Sequence, residues 1–162
     1  PDNYVTTFID FYGTKEWPGI DLVSPQAPPS QIAKSINEAT KKQVVSLFSE
    51  QQAERRFVPF VAVHEFEALL FSDAGILASK LGIDESKVTT VISDCGSPEA
   101  INNDPMTAPS KRLDAWSVNG KFLKTTMGVT IAREIGIEKI RNECPLFDEW
   151  LKTFEEIQRS GQ

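Results

Sequence analysis

The chain has 162 residues, 40% of them hydrophobic and 25% charged, enough for one hydrophobic core and one domain. Its formal net charge of −6 excludes an all-over basic surface for nucleic acid, but not a local basic groove or a metal ion bridging carboxylates to phosphate. There is no apolar run of about 18 residues to cross a membrane and no basic-then-apolar leader, and two cysteines make neither a disulfide framework nor a four-ligand zinc site. A cytoplasmic protein with Cys95 and Cys144 as free thiols is therefore expected.

The first predicted element is a strand, Tyr4 to Ile9, rich in β-branched and aromatic residues and ending in Asp10. Gly13 follows as a sharp exit, and the proline-rich segment from Trp17 to Ser30 reads as a loop. Ser30 is the expected cap of a helix running to about Gln52, with Ile32, Ile36, Val44, Val45 and Phe48 as its apolar stripe. A helix between two apolar strands is a βαβ unit, which implies parallel strands.

The second strand opens the stretch Arg56-Phe57-Val58-Pro59-Phe60-Val61-Ala62-Val63-His64-Glu65-Phe66-Glu67-Ala68-Leu69-Leu70-Phe71, around which the chain is organised. Its Val- and Phe-rich run has the character of a strand buried on both faces. Phe66, Leu69 and Leu70 then recur at helical spacing, so strand turns to helix near His64 to Glu67. Open parallel sheets place their ligands just beyond the C-terminal ends of the strands, which makes these three polar residues the first candidates for function.

The rest of the chain reads as helical. Asp73 caps Ala74 to Leu81, closed by Gly82, and Asp84 caps a helix closed by Gly96. A polar, proline-bounded stretch from Pro98 to Arg112 follows, with Ser110 and Thr107 as candidate caps for the helix holding Leu113 and Trp116. One more helix runs through Ile131 and Ile135 to Gly136, and the last spans Ile137 to about Gln158 with a break near Pro145.

The chemistry concentrates in a few side chains. Asp10, Glu65 and Glu67 are an all-oxygen, hard donor set suited to Mg²⁺ or Mn²⁺ rather than zinc. Glu65 and Glu67 share a face only if the backbone is extended, so the first of them belongs in the strand or turn. With a single His there is no zincin pair, no GxxxxGK[ST] loop serves a nucleotide, and no GxSxG elbow supports a Ser-His-Asp triad. His64 is either an acid–base group, given the near-neutral pKa of histidine, or a partner for a backbone carbonyl. Lys111 and Arg112, with Ser110 at a helix start, are the candidate phosphate-binding group; their bland reading is a solvated surface with helix caps. A weaker reading makes Asp10 a phosphatase nucleophile.

The segments Val5-Thr6-Thr7-Phe8-Ile9-Asp10-Phe11-Tyr12-Gly13 with Pro18-Gly19, and Arg56-Phe57-Val58-Pro59-Phe60 running into His64-Glu65-Phe66-Glu67-Ala68-Leu69-Leu70-Phe71, resemble a bacterial domain-of-unknown-function family with a Toprim-like fold. Pro98-Glu99-Ala100-Ile101-Asn102, Ala108-Pro109-Ser110-Lys111-Arg112-Leu113, Ile140-Arg141, Cys144-Pro145 and Trp150-Leu151 continue the match over nearly the whole chain. That family is similar to the nuclease domains of overcoming-lysogenisation-defect proteins and is often encoded beside ATPases in phage-defence loci. The resemblance implies an α/β fold with a small, mostly parallel Toprim-like sheet, flanking helices and a helical C-terminal half, as one domain over residues 1–162. It also implies a Mg²⁺-dependent (or Mn²⁺-dependent) nuclease or nuclease-derived subunit acting on DNA or RNA, with an ATPase partner. Asp10 matches the first acid of the Toprim DxD position, whose second acid is replaced by Tyr12, and Glu65 and Glu67 match the later acidic motif. The family's first strand carries a Glu, and the resemblance implies that this strand lies ahead of residue 1 or that the protein has lost this metal ligand. Without that strand the sheet has an exposed edge that invites a homo-oligomer, and nuclease activity is expected to be low. The rival expectation is a non-catalytic interaction module of an ATPase complex, whose acids cap helices.

Overall fold

The computed structural model describes residues 3–11, 13–101 and 106–160. Tyr12 and the 102–105 part of the polar loop lie outside the described residues. The chain divides into two compact units, Pro1–Val63 with Glu149–Gln162, and His64–Asp148. The class is α/β, with parallel strands near the N-terminus and a helical C-terminal half, as the sequence predicts.

In the first unit, strand β1 (Val5–Thr6) pairs in parallel with β3 (Phe57–Val58), and β2 (Ile9–Asp10) with β4 (Val61–Ala62). Val5 faces Phe57 and Ile9 faces Val61, the same sequence offset twice, so the four segments are two strands in one register, each interrupted midway. The cause lies in two residues. Pro59 has no N–H for a ladder. Thr7 replaces main-chain pairing with its hydroxyl, which accepts from Phe60 N at 3.0 Å and donates to the Phe60 carbonyl at 3.3 Å. Pairing then resumes, with Phe11 N donating to the Ala62 carbonyl at 2.8 Å.

The crossover helix α1 spans Pro29–Leu47 rather than starting from a Ser30 cap and reaching Gln52. Pro29 at the first helical position presets φ and needs no donor partner, so no side-chain cap forms and Ser30 falls inside the helix. At the other end Phe48 leaves helical geometry, a 3₁₀ turn covers Ser49–Gln51, and Gln52 takes a left-handed conformation before the short helix α2 (Ala53–Arg56). Ile32, Ala33 and Ile36 of α1 are buried, as are Phe57, Phe60 and Val61. Trp150 stacks on Phe60 with ring centroids 4.8 Å apart and meets Phe8 edge-on. The buried Thr40 hydroxyl accepts from Trp17 Nε1 at 2.8 Å, which ties the proline-rich loop to α1.

Gly19 brings that loop against α1 with φ +85°, and a Cβ placed there would stand 2.8 Å from Ala39 Cβ. Gly19→Ala combines left-handed strain with a backbone-level clash, so a loss of about 2–3 kcal/mol is expected in urea unfolding. An unchanged midpoint would refute the close approach.

The second unit begins with a 3₁₀ stretch, Phe66–Ser72, where the sequence predicts helical spacing. Its Leu70 and Phe71 are fully buried, and Phe71 packs near Trp116 at 5.9 Å. Helices α3 (Ala74–Leu81) and α4 (Glu85–Cys95) begin and end where expected. Asp73 accepts from Ile76 N and Asp84 from Ser86 N, each at 2.8 Å, while Gly82 and Gly96 close the two helices in left-handed geometry. Then follow α5 (Pro109–Trp116), a π-helical turn at Lys124–Gly128, α6 (Val129–Ile135), α7 (Ile137–Glu143) and α8 (Pro145–Ser160). The break predicted near Pro145 falls at Cys144, and the boundary between the units lies within α8, after Asp148.

Candidate functional site

Asp10 belongs to the first unit, where it ends β2 opposite Ala62 and is half-buried. Its backbone carbonyl accepts from Thr14 Oγ1 at 2.6 Å, which fixes the turn after the strand. The remaining candidates lie in the second unit.

Glu65 is extended, with φ −99° and ψ 154°, and immediately precedes the 3₁₀ stretch. Its carboxylate accepts from Ser110 N at 2.6 Å through Oε2 and from Ser110 Oγ at 2.8 Å through Oε1. Both predicted site residues therefore meet, but Ser110 presents its donors to Glu65. The reason lies in α5, whose N-terminal residues Ala108 and Pro109 are buried. Ala108 has no capping side chain and Pro109 no N–H, so the free amide of Ser110 takes a carboxylate from elsewhere in the unit. Neither Ser110 nor Thr107 is the local cap that the sequence suggests.

Glu67 points elsewhere. It lies in the first turn of the 3₁₀ stretch, where a step of two residues turns the side chain away from that of Glu65. Only 2% of its side chain is exposed, and its Oε1 forms an ion pair with the Lys124 ammonium at the start of the π-helical turn. The two glutamates are thus not brought together on one ligand. His64 is buried at the head of the unit. Lys111 is exposed, and Arg112 is half-buried with Nε donating to the Thr107 carbonyl at 2.7 Å, which ties the loop to the start of α5.

Two further acid contacts have no counterpart in the sequence expectations for the site. The Glu67–Lys124 pair is one. The other is Glu99, whose carboxylate accepts from Leu146 N and Phe147 N, both at 2.9 Å, at the start of α8. As at α5, this helix opens with a proline after a residue that offers no local cap, the buried Cys144. Burial pushes the Cys144 thiol up to about 12, although its hydrogen bond with Ser72 Oγ at 3.3 Å works the other way. It is a packed, neutral thiol with no reactive character.

Hard oxygen donors are the right chemistry for Mg²⁺, which takes only one or two protein carboxylates and fills its shell with water and substrate phosphate. Glu65 meets that demand. A carboxylate offers about four lone-pair sites, of which Ser110 uses two, and ligating carboxylates are ordinarily held by such outer hydrogen bonds. Glu67, inside the unit and paired with Lys124, does not meet it. Among the described residues there is no group of three His, Cys, Asp or Glu able to hold a metal, so the fit extends to a site of few protein ligands.

Among the described residues no helix is long and apolar enough to cross a membrane. No curated protein and no solved structure matches the chain. A family model described as Domain of unknown function (DUF4276) matches residues 1–155, so the chain belongs to the DUF4276 family.

Proposed function

We propose that this domain is a Toprim-like, metal-dependent nuclease or nuclease-derived subunit acting on DNA or RNA, working with an ATPase partner in phage defence. The observation that carries the reading is the state of Glu65. It is an extended, half-buried carboxylate just after a parallel strand, held by two donors of one residue with lone pairs to spare. The resemblance gives Asp10, which ends β2 in the first unit, as a second candidate ligand. In this reading Glu65 would hold Mg²⁺ or Mn²⁺, which when bound would stabilise charge on the transferring phosphoryl group. The chain's own residues do the rest: Ser110 fixes the Glu65 carboxylate, Arg112 braces the loop, and the exposed Lys111 meets phosphate.

The rival is a non-catalytic module of an ATPase complex, and Glu65 favours it in one respect: a carboxylate capping α5 is accounted for without a metal. Glu65→Gln separates the two. The amide keeps the shape but loses the ligand charge. The expected result is a loss on the order of a hundredfold or more in whatever Mg²⁺- or Mn²⁺-dependent cleavage of plasmid or structured RNA the parent shows. Mn²⁺ binding, followed by electron paramagnetic resonance, is expected to weaken in parallel, with the circular dichroism spectrum retained. Equal cleavage by parent and variant, or no Mn²⁺ binding by the parent, hands the chain to the module reading.

A further inference from the structure

We propose that Lys41 and Pro59 together lock the outer edge of the β3–β4 strand against pairing with another strand, keeping this edge of the sheet from self-association. In a strand, main-chain groups of successive residues point to opposite edges. The Phe60 and Ala62 carbonyls accept from Ile9 N and Phe11 N, so Phe60 and Ala62 face the partner strand, and Phe57, Pro59 and Val61 present their main-chain groups to the outer edge.

Two of those three positions are disabled. The Phe57 carbonyl is taken by the Lys41 ammonium at 2.5 Å. The same ammonium reaches the Glu54 carbonyl at 2.5 Å and the Ala53 carbonyl at 3.4 Å, so its three N–H groups serve α2 and the strand edge together. Pro59 has no N–H to offer. Proline on an edge strand discourages strand addition, and Lys41, reaching over from α1, sets a charged group on the same edge.

The obstruction is one of hydrogen bonding, since space is ample. A hollow of about 760 Å³ opens beside this edge in the first unit, with Phe57, Val58 and Pro59 in its wall, Lys41 and Val45 from α1, and Ile157 from α8. An incoming strand would find room and apolar side chains, but a capped acceptor and a missing donor.

The test is sedimentation velocity over a concentration series, with circular dichroism on every variant. Lys41→Met keeps the apolar stem and frees the Phe57 carbonyl; Pro59→Ala restores an N–H. The double variant is expected to associate about tenfold more tightly than the parent, the order of one or two added main-chain hydrogen bonds. Lys41→Arg, which keeps donors at the edge, is expected to sediment as the parent does. If the double variant keeps its fold and sediments like the parent at every concentration, the lock is refuted. Should Lys41→Met lose its fold, Pro59→Ala decides alone: tighter association than the parent supports the lock, and parent-like sedimentation overturns it.

Discussion

Lys124→Met is expected to lower stability by about 3 kcal/mol. Glu67 is almost fully buried in the second unit and its carboxylate is paired with Lys124, whose own side chain is 60% exposed. Methionine preserves much of the apolar stem while removing the ammonium, so the carboxylate keeps its desolvation and loses its counter-charge. The figure is set at the lower end for a broken buried pair, because the lysine itself stays largely solvated. Urea unfolding of Lys124→Met, Glu67→Gln and the double variant checks it. With the charge gone from both sides, the double variant is expected to recover at least about 1 kcal/mol relative to the sum of the singles. Strict additivity would show that the pair carries no coupling energy.

Glu99→Ala is expected to cost about 2 kcal/mol, the upper range for a helix cap. One carboxylate serves two amides, Leu146 N and Phe147 N, where α8 starts behind the buried Cys144. Alanine leaves both donors without that acceptor. The loss is therefore expected to be local first, with faster hydrogen exchange at Leu146 and Phe147 before global unfolding changes. Glu99→Gln, which can still accept one bond, is expected to fall between parent and alanine. Exchange at those two amides that stays at the parental rate in Glu99→Ala would sink the assignment.

Glu99 and Glu65 also show why part of the candidate site was not legible from local sequence. Among the described residues three α-helices open with proline: α1, α5 and α8. At α1 the flanking Pro28, Ser30 and Gln31 are exposed, so water can satisfy the first amides. At α5 and α8 the preceding residues, Ala108 and Cys144, are buried and lack a capping oxygen, so an acceptor must come from a distant part of the chain. A proline helix start after Ala or Cys is thus a usable signal that a remote acid is needed. It does not say which acid, and that choice depends on contacts 45 to 48 residues away in sequence.

Local chemistry decided by itself the α/β class, the parallel pairing, and the helices capped by Asp73 and Asp84 and closed by Gly82 and Gly96. Each follows from groups within a few residues: an Asx oxygen beside free amides, a glycine at a left-handed position, an apolar run before and after a helix. The interruption of the strands at Thr7 and Pro59 required the register, because only a partner strand gives the Thr7 hydroxyl a Phe60 amide to receive. Tertiary structure also decided what the central carboxylates do. Sequence places Glu65 and Glu67 two residues apart; packing sends one to Ser110 and buries the other on Lys124. A charge taken out of water must find a partner, and the nearest one is set by how distant segments pack.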